Sequence, residues 1–323
     1  MLRYVCKRLV MLVPIILGIT FIVFFILSLT PGDPARMILG ANATPEQVAA
    51  MRAQMGLDDP VILRYIKYIG GALRGDFGTS WSTRDRVFTM VFGRFPYTFR
   101  LAFLSMLLTV ALSIPLGIYS AVRKGGFGDN ATMVLSMVMA ATPKFWLGIL
   151  MMLVFSVWLR WLPTSGLSSW KNYIMPTIAM SAASTAINTR IVRASVLDVI
   201  RQDFIRTARA KGARESVIFR KHALRNAMLP VVTVLGMSFA GSLGGSVLIE
   251  NVFSIPGVGL LMIERVRQKD IPAVLACVIF IAVVFAVVNL ITDILYSFID
   301  PRIKAQYTRR SAKKPPKEAT AAP

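Results

Sequence analysis

The chain has 323 residues, of which 55% are hydrophobic and only 16% charged, with a mean hydropathy of +0.61. That balance excludes an ordinary soluble domain and a disordered chain, and it points to several membrane spans. A formal net charge of +21 would suggest nucleic acid in a soluble protein. In a membrane protein cationic loops fix orientation, so the expected surroundings are a lipid bilayer and no nucleic acid.

The N-terminal segment, residues 1–30, carries Arg3, Lys7 and Arg8 ahead of an apolar run from Val10 to Leu29. A secretory signal has a shorter apolar core followed by an Ala-x-Ala-like site. This run meets Thr30-Pro-Gly-Asp-Pro34 instead, which predicts an uncleaved first span with a cytoplasmic start. Roughly 20 apolar residues cross a hydrocarbon core of about 30 Å. Five further segments qualify: Leu101–Val122, Ala131–Leu159, Ile174–Ile191, Leu229–Val252 and Ala273–Ile299. Ile174–Ile191 is rich in Ala, Ser and Thr, the small residues that close helix packing in lipid requires. The expected fold is an all-α polytopic membrane protein with six transmembrane helices and both termini cytoplasmic. Loop charges agree, with 22 Lys and Arg in the inner segments and five in the short outer loops. The long outer loop is set aside because such loops translocate largely regardless of charge.

That outer region, residues 31–97, is expected to fold. Thr44-Pro-Glu-Gln47 reads as a capping box with proline at the first helical position, opening a helix toward Met55. Asp59-Pro60 starts a second amphipathic segment through Leu73, and Gly75–Ser80 is a turn-rich stop. Residues 98–303 form the expected five-helix core. The basic tail, residues 304–323, ends in a low-complexity stretch, Arg309–Pro323, expected to be disordered.

Catalytic signatures are missing. No Gly-Lys dipeptide occurs, so there is no phosphate cradle of the Walker A type. The single histidine, His222, rules out zinc sites that need two. Cys6 and Cys277 lie beside or inside apolar segments and read as small buried hydrophobes. Gly126-Phe-Gly-Asp129 matches a Gly-x-Gly-Asp protease string, but Asp129 falls in a short polar loop and lacks the paired carboxylate such chemistry needs. No enzyme activity, metal site or cofactor is expected in this chain.

Three features remain. In the fifth span Gly236, Ala240 and Gly244 recur every four residues, as do Gly241 and Gly245, and Ser238, Ser242 and Ser246 form a third row. Positions four apart share one helix face, so the glycines and Ala240 suit close helix packing and the serines a polar passage. Lys144 follows Pro143 inside an apolar run. Mid-membrane a lysine costs about 2.5–3.5 kcal/mol, so it either faces a cavity on the substrate path or snorkels from a bend at Pro143. Glu250 and Asp293 lie near span ends, where solvent or a local cap explains them. Finally, the 36-residue interlude Arg190–Arg225 carries ten basic residues. Ile200, Phe204, Ile205 and Ala208 share one face, and Gly212 can end that helix at positive φ. A second helix through Val217, Ile218 and Leu224 returns the chain to the membrane. Retention by charge explains neither the length nor the two apolar faces, so the interlude reads as a docking surface.

Arg206-Thr-Ala-Arg-Ala-Lys-Gly212 with His222-Ala-Leu-Arg-Asn-Ala-Met-Leu-Pro230 resembles the cytoplasmic coupling loop of ABC-importer permeases of the dipeptide/oligopeptide/nickel family. Pro31–Pro34, Met55–Asp58, Gly75–Gly78, Phe145–Gly148, Glu250–Gly257 and Asp300–Ile303 look like that family's landmarks, in order. The loop departs from the general permease pattern, with Arg206-Thr207-Ala208 where Glu-Ala-Ala is usual, so no contact of that glutamate carries over. The resemblance implies the type I importer permease architecture. It also implies a second, homologous permease, two cytoplasmic ATP-binding subunits that hold ATP and Mg, and an external substrate-binding protein. Its coupling loop, residues 190–228, would present Asp203, Arg206, Thr207, Ala208, Lys211, Gly212, Ala213, Arg214 and Glu215 to the ATPases. The substrate would be a di- or oligopeptide, with a nickel or other metal chelate as the alternative, and the membrane a bacterial plasma membrane. Two other classes stay open on the residues alone. An ion-coupled secondary transporter needs intramembrane acids, and a membrane scaffold would show no flux.

Overall fold

The computed structural model describes residues 2–40, 42–167 and 169–299, with side chains from Val10 to Leu295. The Asp300–Ile303 string, the basic tail and the Cys6 side chain lie outside the described residues. Everything described is helix or turn, apart from one isolated bridge between Thr79 and Arg86. The order begins α1 (Leu2–Leu29), α2 (Pro34–Leu39), α3 (Pro45–Gln54), α4 (Val61–Ala72), α5 (Val87–Val122), α6 (Phe127–Ala141) and α7 (Lys144–Met151). A π-helical stretch, Met152–Trp158, prolongs α7, and a short 3₁₀ turn, Trp170–Tyr173, leads into α8 (Ile174–Ile200). Then come α9 (Asp203–Ala210), α10 (Glu215–Val217) with a π-helical Ile218–Ala223, α11 (Leu224–Gly245), α12 (Val247–Val252), α13 (Val258–Arg267) and α14 (Ile271–Ile299).

Four described helices are long and apolar enough to cross a membrane: Val10–Leu29 of α1, α5, the 215–245 run ending in α11, and α14. The expected third span, Ala131–Leu159, is not one straight helix. Its halves α6 and α7 are bent by 100° and together make a fifth candidate. Proline is the cause. Pro143 has no N–H to give and pushes the preceding residue out of the helical region, and Thr142 is extended at φ −77°, ψ 123°. The second span also differs, since its helix starts at Val87 and so absorbs the end of the expected outer loop. At 36 residues and about 1.5 Å per residue, α5 exceeds a bilayer core of about 30 Å. The fifth span breaks at Ser246 into α11 and α12. Helix α8 is too polar to pass on apolarity, yet it sits between α5, α6 and α11 with Met175, Ala179, Met180, Val192 and Val196 buried.

Small residues decide how closely these helices approach. Along α5 the buried Ala102, Ser105, Thr109, Ser113, Gly117 and Ser120 recur at three- and four-residue spacing and face α8. A β-carbon at Gly117 would come within 2.6 Å of Val192 Cβ and 2.8 Å of the Thr189 carbonyl. Helix α11 packs on α14, where a β-carbon at Gly236 would lie 2.8 Å from Thr292 Cβ. Helix α1 packs on α14 and α4 alone among its main contacts and leaves Val13, Ile15, Ile22, Phe25 and Ile26 exposed, as a lipid-facing helix does.

The outer segment is bolted to this core. Thr44 and Gln47 close the expected capping box, Gln47 N to Thr44 Oγ1 at 3.3 Å and Thr44 N to Gln47 Oε1 at 3.0 Å. Asp33 caps α2 by accepting from Ala35 N at 2.9 Å. Arg52 links Asp33 and Asp58 at 2.9 Å each, so the Pro31–Pro34 and Met55–Asp58 strings are two halves of one clamp. Buried Asp270 accepts from Trp81 N at 3.1 Å, Ser82 Oγ at 2.9 Å and Ser80 Oγ, tying the turn after α4 to the start of α14. Lys269 Nζ donates to the carbonyls of Thr30, Pro31 and Gly32 just past the end of α1.

Burial pushes the Asp33 carboxyl up, but the Arg52 bond and the Ala35 N–H outweigh it and hold the group below its usual 3.8. A carboxylate depressed in the folded state adds stability that is complete above its unfolded value and lost as pH falls through the folded value. Acidification from about pH 5 to about pH 3 is therefore expected to loosen α2 and α3, read by limited proteolysis. Arg52→Ala is expected to cost about 1 kcal/mol, since the pair is partly exposed, and to remove most of that acid sensitivity. Equal acid sensitivity in both proteins would show that the clamp is not its source.

Candidate coupling and translocation sites

The interlude forms a helical bracket below the core. Helix α9 carries Ile205, fully buried, into a cluster with Val196, Val199, Ile218, Ala223 and Ala227 from α8 and the chain leading to α11. Ile200 and Ala208 pack at its edge. Gly212 turns the chain at φ +78° with nothing within 4 Å of a β-carbon built there. Across that turn Arg209 Nε donates to Glu215 Oε1 at 2.6 Å. Bonding to Arg209 holds the Glu215 carboxyl below its ordinary range, and Arg209 is raised in return. Asp203, Arg206, Thr207, Lys211, Gly212, Arg214 and Glu215 are exposed, while Ala208 and Ala213 are half-buried. Phe204, expected on the inward face, is 39% exposed, and Val217 is 44% exposed. The bracket thus offers two apolar side chains among charges.

Seven residues before the end of α8, which leads to the bracket, Arg193 enters a buried ion pair that the sequence did not reveal. Asp129 lies in the first turn of α6 rather than in a loop, 1% exposed. Arg193 of α8 grips it with both forks, Nε–Oδ1 and Nη2–Oδ2 at 2.7 Å each. Gly125 N at 2.8 Å and the Ser120 hydroxyl supply the remaining donors. Four donors on one carboxylate meet the requirement for burying it. The contact joins α5, α6 and α8 a few residues before α8 hands over to α9.

For Glu250, of the two expected explanations, solvent or a local cap, the structure shows the cap. It is fully buried and accepts from Thr98 Oγ1 at 2.8 Å, Ser246 Oγ at 2.7 Å and Leu260 N at 3.0 Å. Thr98 Oγ1 in turn accepts from Val258 N at 2.9 Å. Glu250 and Thr98 therefore cap the first turn of α13, whose N–H groups have no helical partner. Glycine is required at Gly259, where a β-carbon would lie 2.6 Å from Val247 Cα. The Glu250–Gly257 string is the fold-back that makes this cap.

The path candidates are dispersed. Lys144 is half-buried at the first position of α7, beyond the Pro143 bend, and makes no hydrogen bond or ion pair among the described residues. Ser238 accepts from Asn188 Nδ2 at 3.2 Å. Ser242 is buried and bonds back to the Ser238 carbonyl at 2.9 Å, and Ser246 is committed to Glu250. Of the small residues, Ala240 is buried and Gly244 lies 3.8 Å from Ile281 Cγ2, measured from a built β-carbon. Gly241 and Gly245 have nothing within 4 Å.

Residues 113–305 match the family of binding-protein-dependent transport system inner membrane components, and residues 1–102 match the N-terminal part of such membrane components. The chain belongs to this family. Within it, the glutathione transport system permease protein GsiC of Salmonella paratyphi A is 42% identical over 304 residues, covering 94% of this chain and 99% of that protein. The protein of the same name from Escherichia coli K12 is 41% identical over the same shares. A solved structure of the MetNI methionine ABC transporter superposes with a TM-score of 0.55 at 16% identity, covering 65% of this chain and 96% of that one. That likeness supports the helical fold. This permease is therefore an inner-membrane ABC-importer subunit of the peptide/oligopeptide/nickel group, a transport component rather than an enzyme. ABC-importer permeases work with ATPase subunits and a binding protein, so the permease can leave ATP hydrolysis to its partners.

Proposed function

We propose that this permease imports di- or oligopeptides, crossing the membrane six times with both termini cytoplasmic. The crossings would be α1, α5, the bent α6–α7 pair, α8, α11–α12 and α14. A second, homologous permease completes the path, and two ATPases bind below. By this reading Lys144 and Ser238 stand on the path, Ser242 and Ser246 being taken up by packing and the Glu250 cap, and residues 31–97 carry the largest surface for the binding protein. The observation that carries it is the bracket around Gly212, pinned to the core by Ile205 and Ile218 and exposed on its far side. ATP-driven closure of the ATPases would move α9 as a lever, and the Asp129–Arg193 contact would pass that motion to α6 as rigid-body rotation. For the substrate, the support is that the relatives carry the name glutathione transport permease, and glutathione is a tripeptide.

The test is reconstitution of the permease with its partner subunits in vesicles. Tripeptide uptake is expected only with ATP and the binding protein both present. Uptake driven by an ion gradient without ATPases would overturn the proposal, and uptake confined to a nickel chelate would overturn the peptide part.

A further inference from the structure

We propose that the cleft between α5 and the start of α8 is a transient site for the carboxylate of a peptide-like solute, with Arg100 as the anion-binding residue. This rests on the peptide reading above. The cleft has a volume of about 680 Å³, within the range of about 300–1,000 Å³ usual for small-molecule sites. Leu104, Leu108 and Ile178 supply an apolar wall. Arg100 is the one charged residue of the lining among the described residues.

Arg100 lies in α5 directly before the expected span Leu101–Val122, at its outer end, and is exposed. It has no carboxylate partner among the described residues. Its guanidinium lies over the Tyr173 ring, 5.7 Å from the centroid. Stacking occupies the flat face and leaves the N–H edges free to fork a carboxylate.

Two further groups of the same lining point to a ligand. The Tyr173 and Thr177 hydroxyls are buried and have no hydrogen-bond partner among the described residues, and Tyr173 is only 8% exposed. Buried hydroxyls are normally paired, so two such hydroxyls one helical turn apart in one cleft wall call for an acceptor, and Arg100 beside them selects an anionic one. A carboxylate accepts from all three groups, whereas an amide offers a weaker acceptor. The start of α8 adds the positive end of a 27-residue helix. This end of α8 is remote from α9, the side from which an imported solute arrives under the proposed topology.

The test is protection from labelling in the assembled transporter. Ile178→Cys, at an apolar wall position that is 39% exposed, is introduced with Cys6 and Cys277 replaced by Ala, and the rate of maleimide labelling is followed. A tripeptide with a free C-terminus is expected to slow labelling at least about fivefold, the lower end of measurable site coupling. Its C-terminal amide should slow labelling little, and Arg100→Gln should abolish protection by both. Equal protection by acid and amide overturns the carboxylate assignment. Absence of labelling, which a covering partner permease would produce, overturns the site. Wild-type uptake of the same tripeptide, measured in parallel, decides the peptide reading separately. Protection without uptake keeps the site and removes that reading, and uptake without protection does the reverse.

Discussion

Asp129→Ala is expected to cost about 3–5 kcal/mol of stability, the range for removing one partner of a buried ion pair. The loss comes mainly from what is left behind. Arg193 keeps its charge with a side chain 23% exposed, and Ser120 and Gly125 lose their acceptor. That residual exposure places the effect toward the lower end of the range. Asp129→Asn retains the shape and one acceptor oxygen and should recover part of it. Arg193→Met combined with Asp129→Ala should cost less than the two single changes added together, because each single change strands a polar group that the pair removes. Reversing the pair should not rescue, since Ser120 and Gly125 offer donors and an arginine at position 129 could not use them. Thermal unfolding of the purified permease reads all five variants, the Arg193→Met single change included. An Asp129→Ala cost below about 1 kcal/mol would show that the pair behaves like a surface salt bridge.

Gly212→Trp is expected to leave insertion and ATP hydrolysis intact and to cut uptake about 5–150-fold, the range for coupling energies of about 1–3 kcal/mol. Two effects must be separated. Any L-residue at φ +78° carries a left-handed penalty of about 1–2 kcal/mol, whatever its size. Gly212→Ala carries the same penalty with a side chain that meets nothing within 4 Å, so it isolates strain. If α9 and the Gly212 turn occupy a cleft on the ATPase, the alanine variant transports near the wild-type rate and the tryptophan variant hydrolyses ATP without transport. Transport by Gly212→Trp at the wild-type rate would remove the coupling role. Loss in both variants alike would assign the effect to backbone strain.

The bracket shows how far reading along the chain reaches. A helix before Gly212 and a turn at it were legible because both depend on residues within a few positions. The orientation of Phe204 was not. It shares a helical face with Ile200 and Ala208 by spacing, yet the core below α9 has room for Ile205 and leaves Phe204 exposed. The capping box at Thr44 and Gln47 was legible for the same local reason. The bend at Pro143 was half legible, because the proline is visible while the unbroken apolar composition around it suggests one span.

Other features had no local signal. Asp129 looked like a loop residue because its partner, Arg193, is 64 residues away. Glu250 looked like a span-end acid because Thr98, which shares its cap, is 152 residues away. Arg100 drew no notice in the sequence because it stands just before the expected span Leu101–Val122, and the hydroxyls beside it come from another element.

By itself, the sequence determined that this is a helical inner-membrane permease with a basic two-helix interlude turned at Gly212 and no Gly-Lys phosphate cradle. Hydropathy, capping and turn preferences are set by solvent and by near neighbours in the chain. Only the tertiary structure decided which acids are buried, where the third span bends, how α5 seats on α8 and which side chains meet in the cleft. Those outcomes depend on the register between helices far apart in sequence, and register is chosen by packing and by the need to pair buried polar groups.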